Sequence, residues 1–292
     1  MRLPIEVISL YLGNLKFFIT GIEMETIFYI LIFCIGCLFG SFSTLAVYRI
    51  PLHQDITHKR SYCPNCNHKL SFFDMIPILS YVFLKGKCRY CKQKIRIRYL
   101  LLEISTGLVF LLFAISLNLS FYPLKISELI LMTIYLLYFA GIIIIAGIDK
   151  EKMRIQKEVL LYEIIIVCIY MVYLCVIGKA SIYRYIIYLI CLSIFVIIDN
   201  TYLNRKKKSN YTIEILELSM IMVMITQEQV YVATVILTLL AIALEKIIRS
   251  LPLIKSKKDK TNKISFYNNV SMGFYLGVSN IISLIVINFI NI

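Results

Sequence analysis

Glycine and proline are scarce in this chain of 292 residues, at eleven and six, and only 16% of its residues are charged. So few helix breakers over such a length favour long helices. A soluble domain is about 45–50% apolar with roughly a quarter of its residues charged. This chain is 60% hydrophobic with a mean hydropathy of +0.81, which excludes an ordinary cytosolic domain. The apolar excess also excludes a disordered chain. Nine cysteines are too sparse for a secreted disulfide scaffold. No histidine lies in an apolar run, since His53, His58 and His68 share one polar stretch. A Ser/His intramembrane protease would therefore have no base. There is no H-E-x-x-H, which removes a zinc metalloprotease helix, and no G-x-G, which removes the usual nucleotide-binding glycine loop.

What is abundant is apolar sequence in runs of membrane length. A bilayer core about 30 Å thick needs about 20 mostly apolar helical residues. Such spans are expected at Thr26–Tyr48, Leu100–Asn118, Glu128–Asp149, Val159–Ile177, Ile182–Ile198, Ile213–Ile225, Val230–Leu244 and Val270–Ile290. The fold class expected is an all-α polytopic membrane protein of about eight transmembrane helices with a small cytoplasmic zinc-binding insert. Residues 1–25 scatter Arg2, Glu6, Lys16, Glu23 and Glu25 and read as an interfacial segment. Residues 26–48 form the first span, 49–99 the insert, and 100–292 a seven-helix membrane core.

The basic excess, 31 Lys and Arg against 17 acids, collects in alternate loops. Eleven fall in Arg49–Tyr99, four in Lys150–Lys157, a run at Arg205–Lys208, and seven in Lys246–Lys263. By the positive-inside rule these loops are cytoplasmic and both termini face outward. No basic stretch forms a domain of its own, so nucleic acid is not an expected partner. Membrane lipid is.

Cys63-Pro64-Asn65-Cys66 and Cys88-Arg89-Tyr90-Cys91 are two C-x-x-C knuckles. Their spacing is close to that of a four-thiolate zinc ribbon, and a reducing cytoplasm disfavours two disulfides. A site with four protein ligands is closed, so zinc here is expected to be structural. Cys34, Cys37, Cys168, Cys175 and Cys191 lie inside apolar spans and read as small packing residues.

Ionisable residues in or beside a span are functional candidates by default. These are Glu103, Asp149, Glu163, Asp199, Glu214, Glu217 and Glu245. Asp149 stands out, because it ends a twenty-residue uncharged run and opens Lys150-Glu151-Lys152-Met153-Arg154. A second acid facing it could share a proton, one carboxylate activating water and the other protonating a leaving group. Glu214 and Glu217 begin a later span three residues apart, so one helix face can present both.

The stretch from Gly40 to Pro51, G-S-F-S-T-L-A-V-Y-R-I-P, resembles the G-S-F-L-N-V-x-I-x-R-L-P of bacterial type IV prepilin peptidases. The knuckles follow, and then Ile97-Arg98-Tyr99-Leu100-Leu101-Leu102-Glu103-Ile104-Ser105-Thr106-Gly107 is similar to the family's R-Y-P-L-V-E-x-x-T-G. Ile148-Asp149-Lys150 resembles the surroundings of its first catalytic aspartate. The resemblance implies an eight-span aspartyl protease of the bacterial cytoplasmic (inner) membrane, with a cytoplasmic zinc-binding insert. It implies cleavage of prepilin or pseudopilin leaders, and for many members N-methylation of the new terminus from S-adenosylmethionine. Asp149 carries over as one catalytic acid. The family's second motif, G-x-G-D followed by x-K, registers on Tyr211-Thr212-Ile213-Glu214 with Leu216 in place of the lysine, so Glu214 is the second acid expected and Glu217 its reserve. Lys263-Ile264-Ser265-Phe266-Tyr267 lacks the family's proline before the phenylalanine, and Thr44 and Leu100 replace an asparagine and a proline in the part associated with methylation. Two other readings stand beside this one. One is a degenerate relative that binds leaders or assists pilus assembly without cutting, and the other is an unrelated zinc-containing membrane scaffold.

Overall fold

The computed structural model describes residues 5–58, 60–119, 125–178, 181–206, 210–250 and 270–291. The expected proline-lacking stretch Lys263–Tyr267, most of the basic loop Lys246–Lys263 and the end of the run Arg205–Lys208 lie outside them. Among the described residues there are nine α-helices and no named strand. They are α1 (Ile5–Arg49), α2 (Leu79–Phe83), α3 (Arg98–Ser116), α4 (Ile126–Lys152), α5 (Lys157–Ile177), α6 (Ile182–Lys206), α7 (Tyr211–Ile225), α8 (Glu228–Ser250) and, last in the chain, α9 (Met272–Ile290).

Seven of these contain stretches long and apolar enough to cross a membrane, within α1, α3, α4, α5, α6, α8 and α9. The eighth expected span is α7, a helix of fifteen residues. At 1.5 Å per residue it reaches about 22 Å, short of a bilayer core about 30 Å thick. The helix α1 is continuous from Ile5, so the expected interfacial segment and first span share one helix. Its scattered charges lower the local hydropathy but leave the backbone ladder intact. Pro51, which has no N–H to donate, marks the change to a short 3₁₀ turn at Ile50–Leu52, and His53 follows in the left-handed region at φ 51°.

The chain divides into two compact units: Met1–Ser41 with Cys63–Met132, and Phe42–Tyr62 with Thr133–Asn291. In the first, the knuckle insert joins α3 through Glu103, whose Oε2 accepts the Ile78 N–H at 2.8 Å. The intramembrane-edge acid Glu103 is thereby spent on anchoring the start of α2. In the second, α7 packs against α5, α6 and α9, and α9 against α8. A buried polar chain runs through this bundle. Tyr138 donates its hydroxyl to Asn280 Oδ1 at 2.8 Å, and Asn280 Nδ2 donates to Thr234 Oγ1 at 3.3 Å. Such bonds tie three helices where lipid offers polar groups no alternative. Of the span cysteines, Cys37 is buried, whereas Cys34, Cys168 and Cys175 are exposed at the helix surface and so are not packing residues. Their thiols are small and apolar enough to face lipid.

Candidate active site and metal centre

The two knuckles of the insert repeat one local design. In each, the first cysteine's N–H donates to the carbonyl five residues on, Cys63 to His68 at 3.0 Å and Cys88 to Gln93 at 2.9 Å. In each, the residue four positions on donates back to that cysteine's carbonyl, Asn67 at 2.8 Å and Lys92 at 3.1 Å. Asn67 and Lys92 take φ of 55° and 58°, the left-handed turn that folds both sulfurs of a knuckle to one side. The His68 and Tyr90 rings, one from each knuckle, lie 3.5 Å apart between centroids.

Folding the knuckles this way brings Cys63, Cys66, Cys88 and Cys91 together, with all four sulfurs within 4.8 Å of one another. Four thiolates about 2.3 Å from a tetrahedral ion stand about 3.8 Å apart. The Cys63 and Cys91 sulfurs are 3.9 Å apart, so the donor set fits a thiophilic metal ion. Backbone donation from Gln93 and the Asn65 amide, 3.6 Å from the sulfur, pull the Cys91 thiol down to about 6. Among the described residues this is the only group of three or more His, Cys, Asp or Glu side chains arranged to hold a metal. None of His53, His58 and His68 joins it. Beside the knuckles, Asp74 accepts from the Ser71 hydroxyl at 2.7 Å and from Arg89 Nε at 2.6 Å. Burial pushes its carboxyl up, but these bonds outweigh that and hold it below the usual range.

The second unit gathers the acids. Asp149, in the last turn of α4, is fully buried. Its Oδ2 accepts the Tyr211 hydroxyl at 3.0 Å and the Phe274 N–H at 2.9 Å. The Tyr211 hydroxyl in turn accepts from the Met272 N–H at 2.9 Å. Asp149 thus takes up an otherwise unsatisfied N–H in the first turn of α9, whose own cap residue Ser271 makes no side-chain bond there. Gly273 permits this close approach, because a Cβ there would stand 3.1 Å from Asp149 Oδ2. The other oxygen, Oδ1, is buried with no hydrogen-bond partner among the described residues. One oxygen is clamped and the other makes no hydrogen bond among the described residues.

Glu214, one turn into α7, is also buried, and its Oε2 accepts the Ile155 N–H at 3.3 Å. Ile155 follows the left-handed residue Met153, at φ 54°, that turns the chain out of α4. Glu217 is 6% exposed and interacts electrostatically with Asp199, Lys157 and Glu214. Asp199 is itself ion-paired with Lys157, which also donates to Asn200 Oδ1 at 3.3 Å. The end of α4, the starts of α5, α7 and α9, and the end of α6 therefore meet around Asp149, Glu214, Glu217 and Asp199. Glu163 is not part of this junction. It is buried against Gly141, eight residues before Asp149 and so about 12 Å further along α4. Glu245 lies on α8.

Sequence reasoning missed Tyr211 as a site residue, and Asn280 as an interior one. The signal for Tyr211 was present: a large polar side chain where the resemblance implies glycine.

These observations define a polytopic helical membrane protein with a four-thiolate insert and a carboxylate junction at helix ends. A family model for the bacterial peptidase A24 N-terminal domain matches residues 34–117. The prepilin leader peptidase/N-methyltransferase of Vibrio cholerae serotype O1 is 40% identical over 90 residues, covering 28% of this chain and 36% of that protein. The protein of the same name from Bacillus subtilis is 39% identical over 113 residues, covering 37% and 46%. The type 4 prepilin-like proteins leader peptide-processing enzyme of Escherichia coli O78:H11 is 37% identical over 95 residues, covering 26% and 35%. The chain thus spans less than half the length of each of these relatives. No solved structure matches. Over residues 34–117 the chain is therefore similar to the N-terminal domain of these peptidases.

Proposed function

We propose that this protein is an intramembrane aspartyl-type peptidase that removes leader segments from type IV prepilins or pseudopilins. The observation that carries the reading is the divided Asp149 carboxylate, with Oδ2 held by Tyr211 and Phe274 and Oδ1 unpartnered among the described residues. A base needs a fixed carboxylate with a lone pair left over for water. Glu214 is the partner acid that protonates the leaving amine, and Glu217, one turn on, is the reserve. A buried pair cannot ionise both members cheaply, so the two carboxyls divide the roles of base and acid.

Zinc in the Cys63, Cys66, Cys88 and Cys91 site has a structural role, since four thiolates leave no open position for substrate. N-methylation of the new terminus from S-adenosylmethionine is the companion activity suggested by the relatives' names. The setting is a bacterial cytoplasmic membrane with the basic loops inside, and both termini lie outside provided that the short α7 crosses as the eighth span. A second reading is favoured by one specific observation: side chains stand at Tyr211 and Ile213, where the family resemblance implies glycines that expose backbone to substrate. In that reading the protein binds leaders or assists pilus assembly without cutting.

The deciding experiment is co-expression with a prepilin encoded beside it, followed by mass spectrometry of the pilin N-terminus. A shortened terminus supports the peptidase, and an added methyl group supports the transferase. An intact leader that co-purifies with the protein supports the non-cutting reading.

A further inference from the structure

The insert carries large apolar side chains that its own metal centre does not cover. Phe72 and Phe73 are each 71% exposed and Phe83 is 79% exposed. Leu79, Val82 and Phe83 fall at positions i, i+3 and i+4 of α2, so they share one face of that short helix. The 3₁₀ turn at Phe72–Asp74 packs beside α2, which gathers the three phenylalanines into one neighbourhood. A soluble zinc ribbon would lose solubility with such a patch.

Two further observations say what covers it. The first is tethering. The Ile78 N–H bonds to Glu103, five residues into the membrane-length helix α3. Five residues are about 7.5 Å of helix, so the start of α2 lies level with the end of a span rather than out in solvent. The second is charge. Residues 63–97 hold seven Lys and Arg and one acid, Asp74, which is buried and already paired with Arg89. Lys69, Lys85, Lys87, Lys92, Lys94 and Arg96 are exposed on the same small insert, Lys69 and Lys85 within three residues of the patch in sequence. Aromatic residues beside a basic rim at membrane level are what an anionic lipid interface recognises.

We infer that the Phe72–Phe83 segment is a membrane-docking surface, with Phe72, Phe73, Leu79, Val82 and Phe83 entering the headgroup–acyl boundary of an anionic leaflet and the surrounding lysines contacting its phosphates. This holds the metal-binding insert against the bilayer instead of projecting it into the cytoplasm. The inference is independent of the peptidase reading, because it concerns lipid contact and needs no substrate.

The chain has no tryptophan, so Phe72→Trp and Phe83→Trp each install a single fluorescent reporter at an already exposed position. The full-length variants are reconstituted into nanodiscs of phosphatidylethanolamine and phosphatidylglycerol. Docking at a depth of about 5–10 Å predicts blue-shifted emission and at least about twofold quenching by lipids brominated on the acyl chain. Replacing phosphatidylglycerol with phosphatidylcholine should reduce the quenching. Water-like emission without lipid quenching at both positions overturns the inference. So does a blue shift that appears only when a prepilin is added, since that assigns the patch to a protein partner. Unchanged quenching without anionic lipid overturns the role given to the lysines.

Discussion

Replacing Asp149 by asparagine and by alanine separates the helix-capping role of its carboxylate from the catalytic role proposed for it. Asparagine is nearly isosteric and keeps an oxygen to accept from Tyr211 and Phe274, which stand at 3.0 and 2.9 Å. Its amide nitrogen then occupies the position of Oδ1, where there was no hydrogen bond to lose. Alanine strips both donors of their acceptor and leaves a cavity. Hydrogen bonds to a charged group are worth about 1.5–3 kcal/mol each, so two amount to about 3–6 kcal/mol. Removing a buried charge returns part of that, which leaves a net loss of about 2–4 kcal/mol for alanine. For asparagine, whose neutral bonds are about half as strong, the loss should be about 1–2 kcal/mol. Leader cleavage should instead fall by at least about 100-fold in both variants, because neither carries a carboxylate to activate water. Thermal unfolding in detergent measures the first effect, and mass spectrometry of a co-expressed prepilin measures the second. An alanine variant as stable as the parent would refute the capping role. Wild-type cleavage by the asparagine variant would refute the catalytic one.

Glu214→Gln should likewise cost at least about 100-fold in cleavage if Glu214 is the acid partner, whereas loss confined to Glu217→Gln would move that role one turn along α7. Changing Cys63 and Cys88 to Ser should release the bound metal and loosen the insert. Elemental analysis and proteolysis within residues 60–97 would report both, and unchanged metal content would exclude the four-thiolate site. The lowered Asp74 carboxyl contributes stability that is present above the ordinary aspartate range, near 4, and is lost as pH falls through its depressed native value. Asp74→Asn should therefore narrow the difference in insert stability between neutral and acid pH, as read by hydrogen exchange, and an unaltered acid profile would count against the Ser71 and Arg89 bonds. Asn280→Ala leaves the buried Tyr138 hydroxyl without its acceptor and should cost about 1–3 kcal/mol in the same unfolding assay, and a neutral result would mean that the polar chain does not hold the bundle.

The four-cysteine cluster was legible because almost everything that forms it is local. Each knuckle folds within six residues, and only the meeting of the two knuckles is long-range. The spans were legible for a different reason, since a bilayer imposes one length and one polarity on each. Where helices begin was less so. Hydropathy marks where a chain can sit in lipid, while helix continuity depends on unbroken backbone donors and acceptors. Arg2, Glu6, Lys16, Glu23 and Glu25 therefore dimmed the hydrophobic signal over residues 1–25 without ending α1. Glu163 shows that the default rule for intramembrane acids does not say where an acid lies. Its side chain is buried against Gly141, about two turns of α4 from the helix-end junction.

Tyr211 is the residue that joins these strands of reasoning. It lies 62 positions from Asp149 and 61 from Met272, so no periodicity or local spacing could have paired them. The resemblance implies glycine at this position, and a glycine has no side chain with which to clamp a carboxylate. In this chain the hydroxyl of Tyr211 donates to Asp149 and accepts from α9, fixing three helix ends with one side chain. The orientation of Asp149 is thus secured by this hydroxyl together with the Phe274 N–H. The same ring takes up space that a glycine would leave open to the leader of the proposed reaction. Order around Asp149 and room beside it are set in opposition by one residue, and that opposition is why cutting and non-cutting readings diverge at α7 rather than at Asp149.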